Sequence, residues 1–293
     1  MVRSPYPHAR ILGIDAAAAL EMPGVLGVYT GADCLADGLK DIPHNPVPST
    51  QFDVKLTGRG GTPVFIGSHQ LMPADKARYV GDPVAFAVAE TVAQAQDAVE
   101  MIEVDYEPLP AVTELTEVTK PGAPLVHEDC KENICFVHLE GDKAKTDAAL
   151  AAAPIVIKKT FKLSRVTAAT METRGSIGIY DRAADRYTCY TTLQRALNYR
   201  EEISETLRVP ESKIRIVAGD IGGSFGMKSG IFNEVGMVLM ATKALNRPVK
   251  WVATRSESFI ADAHARDNLT TAELALDRKS TRLNSSHLGI SYA

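Results

Sequence analysis

A strand that empties directly into a cluster of glycines constrains this chain more than any other feature. Lys213-Ile-Arg-Ile-Val-Ala218 alternates polar and apolar residues as a half-buried strand does, and Gly219-Asp-Ile-Gly-Gly-Ser-Phe-Gly-Met-Lys228 follows at once. Glycine reaches backbone conformations closed to other residues and lets a main chain come close to a neighbour. A strand that ends this way presents unpaired amides, which form a ready nest for an anion or a bound oxide. What the loop cradles decides the function.

Three readings of the loop compete, two of them from residue patterns. A tight turn without a ligand needs nothing further. The phosphate-loop pattern G-x-x-x-x-G-K-[ST] is met at Gly222, Lys228 and Ser229 but broken at Met227, where a side chain would block the amide cradle. The dinucleotide fingerprint G-x-G-x-x-G fails because Gly222 and Gly223 are adjacent. The third comes from a family resemblance.

Composition narrows the partners. With 293 residues, 45% of them hydrophobic, the chain has material for about two domains. A net charge of -4 with scattered Lys and Arg offers no basic face to nucleic acid or anionic lipid, so small molecules and proteins are expected instead. Cys34, Cys130, Cys135 and Cys189 show no C-x-x-C pair and read as buried thiols in a reducing, cytoplasmic setting. No apolar run approaches the roughly 20 residues of a membrane span, and the start, Met1 to His8, lacks the regions of a signal peptide.

Periodicity predicts a mixed α+β chain. Strands are expected at 9–14 and 24–29, a short helix at 16–20, and a long functional or interface loop at 33–63, where Gly and Pro are frequent. Residues 84–89 and 102–106 read as strands around a helix capped by Thr91. Further strands are expected at 134–139, 155–163, 176–180, 187–192, 214–218 and 249–253, with helices at 145–152, 196–207 and 234–245. The polar, Pro-containing stretch 120–132 is read as a linker between domains at 1–119 and 133–276.

A family likeness then gathers these pieces. Gly-Gly-x-Phe-Gly-x-Lys after an Arg-Ile-Val-like strand resembles the cofactor loop of the molybdenum hydroxylases, the large subunits of xanthine dehydrogenase, aldehyde oxidase and aerobic carbon monoxide dehydrogenase. Arg3-Ser-Pro-Tyr-Pro-His-Ala-Arg-Ile11, Thr30-Gly-Ala-Asp33, Arg78-Tyr-Val-Gly-Asp-Pro-Val-Ala85 and Ile102-Glu-Val-Asp-Tyr-Glu-Pro-Leu-Pro-Ala111 are similar to the leading hammerhead domain of that family. Met171-Glu-Thr-Arg-Gly175, Thr192-Leu-Gln194, Arg247-Pro-Val-Lys-Trp251 and His264-Ala-Arg-Asp267 are similar to the opening of its molybdenum-binding region. The matches run in order from about Arg3 to Leu276.

The resemblance implies an α/β hammerhead domain followed by the first part of a molybdopterin-binding α+β domain. It implies an oxidoreductase that hydroxylates or oxidises an aldehyde, an N-heterocycle or carbon monoxide with oxygen from water. Molybdopterin would lie beside Gly222, Gly223, Phe225 and Gly226, with the Phe225 amide and the Gln194 side chain near a metal oxo group. FAD and 2Fe-2S clusters are expected on partner subunits or domains of a hetero-oligomer, since the cysteines here lack cluster spacing. The general base of the family lies downstream of this segment, so neither a catalytic residue nor a metal ligand is assigned, and the chain by itself is expected to be inactive. Ser229 stands where xanthine-oxidising relatives carry a glutamate, which argues against a purine substrate. Lys228, His264 and Arg266 are readable either as solvated side chains or as site residues.

Asp277-Arg-Lys-Ser-Thr-Arg-Leu-Asn-Ser-Ser-His287 departs from the family pattern, and a reverse translation of it resembles a sequencing-library adapter. The expectation is that native sequence ends near Leu276 and that 277–293 is an assembly artefact. Two rivals to the main reading stand: a P-loop-like nucleotide-binding enzyme, and a non-catalytic module that docks onto partners.

Overall fold

The computed structural model describes residues 1–44 and 55–277. Along the chain come β1 (Val2–Arg3), β2 (Ala9–Asp15), α1 (Ala17–Leu20), β3 (Val25–Thr30), α2 (Gly31–Ala36), β4 (Lys76–Ala77), β5 (Pro83–Ala89), α3 (Val92–Glu100) and β6 (Glu103–Pro108). They are followed by α4 (Lys143–Ala152), β7 (Ile155–Thr167), β8 (Gly175–Asp181), β9 (Arg186–Thr191), α5 (Ala196–Leu207), β10 (Ile214–Val217), α6 (Asn233–Leu245), β11 (Val249–Val252), α7 (Arg255–Ala261) and β12 (His264–Leu276). The mixed α+β character expected from periodicity is present throughout.

Two local expectations need correction. The loop expected at 33–63 contains most of α2, whose capping box is closed by Asp33: its carboxylate accepts from the Thr30 N–H at 2.7 Å and the Thr30 hydroxyl at 2.9 Å. Six residues are too few for helical periodicity to show. Residues 45–54 of that loop, like 278–293, lie outside the described residues. The strand expected at 134–139 is reduced to a single bridge between Val137 and Thr57, with the Phe65 N–H donating to the Cys135 carbonyl at 2.9 Å. Its apolar residues lack a continuous partner strand, so propensity alone does not form a ladder.

Contacts divide the chain into two compact units. The first gathers the described residues before 45, Ile66–Ala111 and Ala168–Ala263. It holds two three-stranded sheets, in orders β1-β5-β3 and β4-β2-β6, and a four-stranded sheet in order β10-β9-β8-β11. Helix α6 is its central element, buried at every position from Asn233 to Thr242, with apolar residues from Val235 to Ala241 all round it. Close approach is licensed by glycine on both sides. A Cβ at Gly178 of β8 would lie 2.9 Å from Val238 Cγ1, and one at Gly236 would lie 2.5 Å from Leu71 Cδ2. The resulting core joins Phe86 and Val88 of β5 to Tyr187 and Cys189 of β9 through Val238, Leu239 and Met240.

Below this core runs a buried ionic network. Arg174 donates to Asp262 at 2.6 Å and to Glu234 at 2.5 Å, and Arg3 reaches the same Glu234 carboxylate at 2.7 Å. The Arg174 guanidinium also stacks 3.9 Å over the Phe232 ring. Burial works to raise the Glu234 carboxyl, but the two guanidiniums outweigh it and hold it down at about 2.

The second unit gathers the described residues 55–65, Val112–Thr167 and His264–Asp277. Its main element is an antiparallel ribbon in which β7 pairs with β12 from Ile155 opposite Leu276 to Thr167 opposite His264. Asn133, in left-handed backbone, ties the loops beside it by donating to the Val118 and Pro124 carbonyls, each at 3.0 Å.

Candidate functional site

The loop's position follows from a crossover. β9, α5 and β10 form a β-α-β unit whose two strands are parallel, with Ile214 opposite Tyr187 and Val217 opposite Tyr190. Both strands therefore end at the same edge of the sheet, β9 delivering Thr192-Leu-Gln194 and β10 delivering the glycine loop. Ligand sites gather at the carboxyl ends of parallel strands for this reason. β8 runs antiparallel to β9, so the residues before it, including Glu172, arrive at that edge too.

Gln194 grips the middle of the loop. Its side-chain oxygen accepts from the Gly226 N–H at 3.0 Å and from the Ser224 hydroxyl at 2.6 Å, while its own N–H donates to the Lys228 carbonyl at 2.8 Å. Because a backbone N–H can only donate, the Gly226 contact fixes which end of the amide is oxygen. The Gln194 NH2 therefore points the other way, and it makes no hydrogen bond among the described residues. Ser229 closes the turn by donating to the Gly226 carbonyl at 2.7 Å.

The glycines of the loop answer different needs. A Cβ at Gly222 would lie 2.4 Å from the Cβ of Glu172, so this glycine is required by a neighbour fifty positions earlier in the chain. Gly223 and Gly226 are required by backbone, with φ of +104° and +93°. Phe225 between them is itself left-handed at φ 53°, uncommon for a residue with a bulky side chain, and its side chain is 83% exposed. The Phe225 N–H has no hydrogen-bond partner among the described residues. The expected site residues Gln194, Gly222, Gly223, Phe225 and Gly226 are thus brought together at one sheet edge.

Nothing in the sequence pairs Lys228 with Glu172. Lys228 is fully buried, and its ammonium donates to the Glu172 carboxylate at 3.0 Å and to the Glu172 carbonyl at 3.1 Å. The carboxylate also accepts from the Gly222 N–H at 2.9 Å. A solvated Lys228 is thereby corrected, and an ammonium committed in this way is not presented to a phosphate. The stretch Met171-Glu-Thr-Arg-Gly175 carried the signal, but only its position in the pattern was legible. His264 and Arg266 lie at the start of β12, in the second unit, and not in this cluster.

The donor set suits a bound, negatively polarised oxygen. Two neutral donors, the Phe225 N–H and the Gln194 NH2, are left without protein partners among the described residues. Beside it a groove of about 240 Å³ is lined by Glu172, Ser176, Thr192, Gly219, Asp220 and Trp251 among others. The buried hydroxyls of Ser176 and Thr192 have no hydrogen-bond partner among the described residues. These features fit a molybdopterin-type group.

Comparison with known proteins agrees. Residues 1–110 match the aldehyde oxidase and xanthine dehydrogenase a/b hammerhead domain, and residues 126–287 match the molybdopterin cofactor-binding domain. The chain is 34% identical to the carbon monoxide dehydrogenase large chain of Afipia carboxidovorans, over 94% of this chain and 33% of that one. It is 32% identical to the nicotine 6-hydroxylase large subunit of Paenarthrobacter nicotinovorans, over 94% of this chain and 32% of that one. Reconstituted CO dehydrogenase from Oligotropha carboxidovorans superposes with a TM-score of 0.80 at 33% identity, covering 94% of this chain and 33% of that one. The chain spans about a third of the length of the relatives it matches. With its hammerhead and cofactor-binding segments in the expected order, it belongs to the molybdenum hydroxylase family of molybdopterin-binding large subunits.

Proposed function

We propose that the chain forms part of the catalytic subunit of an oxidoreductase that hydroxylates or oxidises a small molecule with oxygen from water. The observation that carries this reading is the pair of unpartnered donors, the Phe225 N–H and the Gln194 NH2, held at the end of two parallel strands. Molybdopterin, when bound, supplies the two-electron redox chemistry that side chains cannot. The residues here bind and orient: Phe225 and Gln194 offer donors to a polarised oxygen, and such preorganised donors gain strength where water is excluded. Gly222, Gly223 and Gly226 hold the backbone in the conformation that aims them.

Ser229 replaces a charged contact with a small hydroxyl engaged to Gly226, which favours aldehydes, carbon monoxide or N-heterocycles over purines. Electrons must leave the metal, so partner subunits carrying FAD and 2Fe-2S clusters are part of the proposal, as is the division into a hammerhead at 1–119 and a cofactor domain from 133. The four cysteines are free, with Cys34, Cys130 and Cys189 buried and Cys135 exposed where a buried thiol is expected, and free thiols suit the reducing, cytoplasmic setting that is part of the proposal; no helix among the described residues is long and apolar enough to cross a membrane. Metal analysis of the full-length subunit, matured in a host that makes molybdopterin, tests the reading. Stoichiometric molybdenum is expected, and folded, matured protein without molybdenum would overturn it.

A further inference from the structure

We infer that Glu172 and Lys228 are a positioning pair, which sets the loop's donors at the angle the cofactor meets; this rests on the proposed function above. The outer turn of the loop packs on little, although Met227 is buried. A Cβ at Gly219 or Gly226 would meet nothing within 4 Å, and Phe225 is largely exposed. Its two ends, however, close on one residue. Gly222 and Glu172 exchange backbone and side-chain bonds, the Glu172 N–H donating to the Gly222 carbonyl at 3.2 Å and the Gly222 N–H to the Glu172 carboxylate at 2.9 Å. Lys228, six residues on, reaches back to the same carboxylate and to the Glu172 carbonyl.

The five residues between these anchors are therefore spanned by a fixed chord. With the ends fixed, the left-handed steps at Gly223, Phe225 and Gly226 are the means by which the chain covers the distance. Left-handed backbone at a residue such as Phe225 persists only where the surroundings over-determine it. Gln194 supplies part of that constraint at the middle, and the ion pair supplies it at the ends. A fully buried ammonium is costly unless paired and hydrogen-bonded, so its retention points to placement more than to stability. Neither side chain is among the unpartnered donors. They act through the loop, as positioning residues.

The test uses the full-length subunit with its partners, matured in a molybdopterin-producing host, and needs no identified substrate. Lys228→Met keeps the volume and removes the charge; Glu172→Met with Lys228→Met removes both charges, an exchange that folding commonly tolerates. Three measurements are made: molybdenum per subunit, the electron paramagnetic resonance of the metal after partial reduction with dithionite, and hydrogen exchange at Phe225 and Gly226. The expected result for both variants is molybdenum within about twofold of the parent, a changed resonance spectrum, and amide exchange at the loop faster by about tenfold. A parent-like spectrum and parent-like exchange in both variants would overturn the inference. So would loss of folded protein in both, which would assign the pair to folding. A parent protein that folds without molybdenum removes the functional reading first and this inference with it, so the two failures are told apart.

Discussion

The four-stranded sheet and the β7–β12 ribbon are both antiparallel in most of their pairings, yet they bury different fractions of their apolar residues. In the four-stranded sheet Ile214 and Val249 are buried and Ile177, Ile179, Ile216 and Val217 are half-buried, with Val252 alone of its Val and Ile residues exposed, because α5 and α6 pack on it. On the ribbon, Ile155, Val156, Ile157, Phe161, Leu163 and Val166 remain 40% to 52% exposed. The difference is one of layers: a strand stabilises a fold by what packs on its face, and hydrogen-bonded pairing alone leaves two strands marginal. The candidate site sits on the region with the layers. Donors that must be held within tenths of an ångström need a rigid scaffold beneath them.

The largest effect should come from breaking the sheet region at its ionic base. Glu234→Gln leaves Arg3 and Arg174 buried with one counter-charge fewer, and the cost should be about 3–5 kcal/mol. Hydrogen exchange along α6 measures it, and unchanged protection there would break the contrast with the ribbon. The pH dependence has a definite sign. The Glu234 carboxyl is held down at about 2, below its ordinary 4.5, so its contribution is present above pH 4.5 and lost as pH falls through 2. The Gln variant should lack that acid-side slope.

A smaller effect is expected on the ribbon. Phe161→Ala removes a ring that is already half in solvent, so the loss should stay below about 1.5 kcal/mol, against the 3–5 typical of a buried Phe. Amides of β7 should exchange faster than those of β9 in the parent chain, by at least about a hundredfold. Equal protection in the two strands would show that the ribbon's apolar face is as well covered as the sheet's.

Much of this contrast was legible in the sequence, and the reason is periodicity. Ala196–Leu207 reads as a helix and is one, and the hairpin of β8 and β9 follows from two alternating runs around a polar turn. The site was legible only as a string of glycines beside a matching glutamine. Gly222 is a glycine because of Glu172, and nothing local announces a steric neighbour fifty residues away. Lys228 reads in the sequence either as a solvated lysine or as a site residue, and nothing local decides, since its burial goes with a carboxylate brought in just before β8. The strand expected at 134–139 shows the opposite failure, where a good local pattern found one bridge and no ladder.

The smallest expected effect lies in the ribbon's charges, and it sharpens the comparison by its smallness. Lys158 stands directly opposite Glu273 in the β7–β12 register, and their side chains form an ion pair. Cross-strand neighbours of opposite charge are favourable, but Lys158 is 65% exposed and water screens the attraction. Lys158→Ala should therefore cost less than about 1 kcal/mol, and raising the salt to 1 M should erase most of that difference. The same chemical pairing, guanidinium or ammonium against carboxylate, is thus worth several-fold more at Glu234, and only because the sheet region removes the water. A salt-insensitive loss at Lys158 would mean that the ribbon also excludes solvent, and the distinction between the two regions would have to be drawn elsewhere.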